Sequence, residues 1–100
     1  MSSIAKIRRV SFSKFYLIVE LDDRRKISVP LDWYPRLKHA TQPERKNWQI
    51  IGEGMGIHWP DLDEDISLDG LLTGKRSTES LASLKRWLDL RNVKRSGEIS

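Results

Sequence analysis

The chain of 100 residues contains no cysteine, and that single absence removes disulfide staples, thiolate zinc sites and a cysteine nucleophile. Long hydrophobic runs are missing too. The longest, Phe15–Val19, is five residues, against roughly 20 for a membrane-spanning helix. The N-terminus, Met1-Ser2-Ser3-Ile4-Ala5-Lys6-Ile7-Arg8-Arg9, lacks the apolar centre of a signal peptide, so a cytoplasmic protein with no membrane attachment is expected. No internal repeat or low-complexity segment stands out. What is present, 38% apolar and 32% charged residues in 11.7 kDa, has the composition of one globular domain with no room for a second core. The expected domain spans residues 1–95, followed by a loose tail over 96–100.

Charge is segregated. Residues 52–70 hold Glu53, Asp61, Asp63, Glu64, Asp65 and Asp69 with no Lys or Arg, a local charge of −6; the whole chain carries +4, so the remainder carries +10. The basic remainder attracts nucleic acid non-specifically, whereas the acidic stretch repels phosphate and must face something else. Both also fit ordinary solvated surface.

Hydrophobic periodicity predicts strands first and helices later. In 15–21, Phe15, Leu17, Val19 and Leu21 fall on one face at period two, and Ile27, Val29 and Leu31 repeat the alternation. Asp22-Asp23-Arg24-Arg25 between them makes a hairpin. It has no glycine for a tight primed turn, so the loop is expected to be longer or Asp23 to take the left-handed position. Asp32 is placed to cap a short helix through Trp33, Leu37 and Ala40, with Pro35 in its first turn. Thr41-x-x-Glu44 has the spacing of a capping box for a second helix ending near Asn47. Trp48–Ile51 and Ile57–Trp59 read as further strands around a glycine turn. Ser67 and Gly74 bracket one or two helical turns, and a helix with an apolar stripe of Leu81, Leu84 and Leu88 runs from about Ser77 to Val93.

Few chemical motifs survive inspection. Asp61, Asp63, Asp65, Ser67 and Asp69 alternate like half a calcium loop, but Ile66 stands at the required glycine and Leu72 at the bidentate Glu. Gly52, Gly54 and Gly56 lack the next glycine of a nucleotide fingerprint, because Ile57 occupies its place. His39 and His58 are the only imidazoles, and no serine elbow, β-lactamase motif or metalloprotease helix accompanies them. A non-enzymatic role with no cofactor or metal is therefore expected. Four tryptophans (Trp33, Trp48, Trp59, Trp87) suit an aromatic core, with Trp59 the candidate exposed anchor beside the acidic segment. Trp59, Asp61, Asp63, Glu64 and Asp65 form the candidate partner-binding set; Arg36, Arg45 and His58 are candidates to hold that loop in shape. The C-terminal helix carries Lys85, Arg86 and Arg91 but no helix-turn-helix spacing, and is expected to close over the sheet.

The run Ile27-Ser28-Val29-Pro30-Leu31-Asp32-Trp33-Tyr34-Pro35-Arg36-Leu37, with Gly56-Ile57-His58-Trp59-Pro60 and Leu62-Asp63-Glu64-Asp65-Ile66-Ser67, resembles the bacterial family catalogued as domain of unknown function 2442. The resemblance covers about residues 10–74 and leaves the last helix outside. The family typically has Asp-Gly-Arg in the first hairpin, where this chain has Asp23-Arg24-Arg25. It implies a compact domain with no established catalysis, often encoded beside a small protein in a toxin–antitoxin arrangement, with this domain as the antitoxin. The expected fold is α+β: a small, mostly antiparallel sheet from residues near 4–31 and 48–59, covered by short helices near 33–47 and an amphipathic C-terminal helix. The expected function is binding a small protein encoded by an adjacent gene; the alternative is a nucleic-acid-binding transcriptional regulator. Self-association as a homo-oligomer stays open.

Overall fold

The computed structural model describes residues 5–99, with side chains described through Arg91. Ile4, where the sheet was expected to begin, and Ser100 at the end of the expected tail lie outside the described residues. The chain order is β1 (Ile7–Phe12), β2 (Tyr16–Leu21), β3 (Lys26–Pro30), α1 (Pro35–Lys38), α2 (Gln42–Lys46), β4 (Gln49–Ile51), β5 (Gly56–Trp59), β6 (Glu64–Ser67), α3 (Leu68–Thr73) and α4 (Leu81–Ile99). The class is α+β with antiparallel pairing throughout. The strands form two three-stranded sheets, β1-β2-β3 and β4-β5-β6.

The first sheet follows its alternation. Leu17, Val19 and Leu21 on β2 and Val29 on β3 point into the core with at most 4% exposure. β1 breaks the period because a bulge falls between Ile7 and Arg9, so Ile7 and Val10, three apart, both face inward. Phe15, expected on the inward face, is 65% exposed: it lies in the turn before β2, where strand periodicity no longer applies. The hairpin loop closes through Leu21 N–H donating to Arg25 C=O, with Arg24 at φ 76°, so Arg24 and not Asp23 takes the left-handed position. Asp23 instead accepts from the Arg25 N–H at 3.1 Å, an Asx turn that fixes the loop.

Beyond β3 the backbone makes a 3-10 turn at Leu31–Trp33, then α1. Asp32 does not cap: Tyr34 precedes α1, and Asp32 pairs with Lys38 in solvent at 2.6 Å. The helix is only four residues because Pro35 must sit in its first turn and His39 already leaves helical geometry. The capping box of α2 forms as spaced, with Thr41 Oγ1 accepting from Glu44 N–H and Glu44 Oε1 accepting from Thr41 N–H. Ser67 likewise caps α3, and Gly74 ends it at φ 78°, a conformation that a side chain would strain.

One core serves both sheets. Leu17, Val19 and Leu21 share it with Ile57, Trp59, Leu62, Ile66, Leu68 and Leu71. At the seam, Gly54 at φ 89° lets the chain pass so close to Lys6 that an added Cβ would sit 2.7 Å from the lysine Cβ. The helix α4 begins four residues later than expected and continues past Val93 to Ile99. Ser83, Leu84, Trp87, Leu88 and Arg91 form its less exposed face, while Leu81 is 86% exposed. Among the described residues the helix packs Trp87 against the core, and its polar contacts run to α1 and α2, through Trp87 against Arg36 and through a bidentate Arg91–Glu44 pair at 2.7 and 2.8 Å. That pair holds the Glu44 carboxyl down at about 2.

Candidate functional site

The acidic segment, read from sequence as a loop, is half strand. β6 pairs antiparallel with β5 in the register Trp59↔Glu64, His58↔Asp65, Ile57↔Ile66. Side chains on a strand alternate between faces, so the acids are dealt to opposite sides. Glu64 and Ile66 lie on the inward face with Trp59 and Ile57; Asp65 lies on the outward face, where it is hydrogen-bonded to His58 Nδ1. Asp63 sits exposed in the turn before β6 at φ 50°. Asp61 points elsewhere and accepts from Asn47 Nδ2 at 3.0 Å.

An open cleft of about 420 Å³ lies between β6 and the segment leading into α4. Asp63, Glu64 and Asp65 line one wall; Lys75, Arg76 and Glu79 line the other, with Tyr34 and Arg36 also contributing. Arg36 organises it. Its Nε and Nη2 donate to the Glu79 carboxylate at 2.6 to 3.0 Å, and its Nη1 donates to the Leu62 carbonyl at 2.8 Å. The guanidinium thereby ties α1 to the acidic turn by its backbone, and to the entry of α4 by a two-pronged ion pair. Tyr34 Oη donates to the Lys75 carbonyl at 3.0 Å and fixes the far wall.

Electrostatics distinguishes the carboxylates. Burial pushes Glu64 up to about 7; Arg36 pulls the other way, while Glu79, Asp65 and Asp63 add repulsion. Glu79 is held below the usual carboxylate range by its hydrogen bonds to Arg36. Burial, with Glu64 nearby, raises the Tyr34 hydroxyl. Near neutral pH the cleft therefore contains one carboxyl poised to take up or release a proton beside fixed charges.

The remaining candidates fall outside it. Trp59 is completely buried, so it is no exposed anchor: its ring meets Phe12 edge-on, and Nε1 donates to the Arg45 carbonyl at 3.1 Å. Its β5 position puts it on the inward face with Ile57, which the flanking Gly and Asp residues obscured. Among the described residues Arg45 reaches none of the carboxylates; it donates to the Leu37 and Lys38 carbonyls and covers the Phe12 ring. His58 touches Asp65 on the outward face. Sequence reasoning missed Glu79 and Tyr34, which come from distant segments and carry no local signal. Among the described residues no three His, Asp or Glu side chains gather to hold a metal, and no helix is long and apolar enough to cross a membrane.

The model of the family described as Protein of unknown function (DUF2442) matches residues 7–77, a span that takes in both sheets and the acidic wall of the cleft but leaves out Glu79 and α4. Two solved structures are similar. A protein of unknown function from Rhodospirillum rubrum shares 26% identity at a TM-score of 0.66, covering 79% of this chain and 98% of its own. An uncharacterized protein from Chromobacterium violaceum shares 27% identity at a TM-score of 0.63, covering 73% of this chain and 69% of its own. No curated protein matches the chain significantly.

Proposed function

Because the chain belongs to the DUF2442 family and opens an acid-walled cleft at the free edge of its second sheet, we propose that it is a non-enzymatic protein-binding module, the antitoxin-like partner of a small toxin encoded by an adjacent gene. The observation that carries this reading is the placement of Asp63, Glu64 and Asp65 along one wall of an open cleft whose central cation, Arg36, is already engaged by Glu79 and Leu62. Among the described residues Asp63 and Glu64 form no direct ion pair, and carboxylates so placed attract a cationic surface; a toxin groove that holds nucleic acid is such a surface. Acids standing where phosphates would stand block it. Charge complementarity of this kind speeds encounter and selects the partner. Glu64 adds a condition, since the cleft gains negative charge as pH rises through about 7.

The experiment is calorimetry of the adjacent-gene product with wild type and with the triple variant Asp63→Asn, Glu64→Gln, Asp65→Asn, at two salt concentrations. The triple variant keeps its fold and binds at least tenfold more weakly, about 1.4 kcal/mol or more. Unchanged affinity in a folded variant overturns the reading.

A further inference from the structure

The outward face of the first sheet shows a pattern that the cleft does not use. Its residues stand in rows across three strands, set by register: Arg9, Glu20 and Lys26; then Ser11, Ile18 and Ser28; then Tyr16 and Pro30. Arg9, Ser11, Lys26 and Ser28 are exposed, and Tyr16 is 46% exposed. At the first row Arg8 reaches Glu20 at 3.6 Å, so three cations gather around one carboxylate; among the described residues neither Arg9 nor Lys26 has an ion-pair partner. At the other end Phe15, 65% exposed, lies beside Tyr16 with the Lys14 ammonium 5.4 Å from its ring centre. The middle row is low, because serines flank a half-buried Ile18. Tyr16 stands four positions along β2 from Glu20 in the cation row, about 13 Å at strand rise.

Two neighbouring aromatic side chains in solvent, Tyr16 at the start of β2 and Phe15 in the turn before it, make an exposed apolar patch of the kind that marks a binding site. Here the rings are bordered by cations and small polar residues, which suits a ligand with flat faces and negative charge. Unpaired nucleic-acid bases stack on aromatic rings whatever their sequence, while phosphates take the flanking cations. A duplex offers no free base faces. The basic side chains of α4, Lys85 and Arg86, have no exposed aromatic beside them on that helix, since Trp87 is turned to the less exposed side. We propose that the outward face of the β1-β2-β3 sheet, with the turn that leads into β2, binds single-stranded nucleic acid, with bases stacked on Tyr16 of the face and Phe15 of the turn and phosphates held by Arg8, Arg9, Lys14 and Lys26. The cleft carboxylates Asp63, Glu64 and Asp65 belong to the other sheet, so this site stands independently of the cleft.

Fluorescence anisotropy of the full chain with a labelled oligothymidylate of about ten nucleotides tests it, a length within the span of a small binding fold. Wild type binds in the micromolar range near 50 mM salt and weakens steeply toward 200 mM. Arg9→Gln with Lys26→Gln weakens binding and lowers the salt slope by about 1.4, about 0.7 for each phosphate of a single strand that no longer meets a cation. Tyr16→Ala weakens binding about fivefold or more with the slope unchanged, the low end for removal of a stacking ring. Lys85→Gln with Arg86→Gln changes nothing. Each variant keeps native circular dichroism, because every altered side chain is exposed. Four results would overturn the proposal: no binding at low salt, tighter binding of a duplex of equal length, full affinity in Tyr16→Ala, or loss of binding confined to the α4 variant.

Discussion

The two sheets have the same strand count and pairing, yet they are held together differently. In the first, strands of five and six residues alternate apolar and polar side chains, and the central strand alone contributes three side chains at no more than 1% exposure. Its cohesion is local: a hairpin, cross-strand pairs and one buried face. In the second, strands of three and four residues contain glycine, histidine and acids. It is stitched from outside, by Trp59 Nε1 to the Arg45 carbonyl and by Arg36 to the Leu62 carbonyl. The contrast shows why the cleft lies where it does. A sheet that leans on helices for its hydrogen bonds leaves its edge strand and adjoining turn free to present charge.

The most severe way to break the first sheet is Val19→Asp. An unpaired carboxylate at the centre of β2, where the side chain is completely buried, costs several kcal/mol, comparable to the roughly 5–15 kcal/mol total of such a domain. The variant is unfolded by circular dichroism at room temperature; a wild-type melting curve would contradict the central place given to β2. Trp59→Ala strikes the second sheet and costs about 3–5 kcal/mol, as expected for a large buried ring leaving a cavity and an unpaired carbonyl. Urea unfolding measures it, and a loss below about 1 kcal/mol would show that the second sheet does not depend on that ring.

Two smaller changes sharpen the comparison in the stabilising direction. Glu64 is raised in the folded state from 4.5 to about 7, so the native state holds its proton more tightly than the unfolded chain. That contribution is fully present below the unfolded value and fades as pH rises from about 4.5 through 7. Glu64→Gln therefore matches wild type near pH 4 and exceeds it above pH 7 by about 1–2 kcal/mol, a figure reduced because solvent reaches the cleft. Denaturant midpoints across that range check the sign, and a parallel shift at every pH would remove Glu64 as the titrating group. Arg24→Gly relieves a left-handed residue in the first hairpin and stabilises by about 1 kcal/mol, read as a higher melting temperature. Destabilisation there would mean that the Arg24 side chain makes compensating contacts.

The first sheet was legible because its signals are local: period two, a loop of turn residues, and a proline to end β3. Thr41 and Glu44, and Ser67 and Gly74, were legible for the same reason, since capping is written in residue types close along the chain at each helix end. Phe15 misled because it sits one position outside the strand whose period it continues, and Leu81 because it opens α4 on the solvent side. The acidic segment was misread as a loop because β6, four residues with two acids, has almost no strand propensity of its own and forms by pairing with β5. Trp59 was misassigned because which way a short strand turns its side chains depends on its partner, not on its neighbours in sequence.

By itself, then, the sequence determined the α+β class, the hairpin of β2 and β3, the capped helix starts and the division of charge between a −6 segment and a basic remainder. These depend on interactions between residues a few positions apart, or on composition alone. Only the tertiary structure decided that the strands split into two sheets, that Trp59 is core, that Glu64 faces inward while Asp65 faces out, and that Arg36 and Glu79 meet across 43 positions to shape the cleft. Contacts of that span depend on how complete elements pack, and burial, which raises Glu64, is a property of the packed chain and of no single residue.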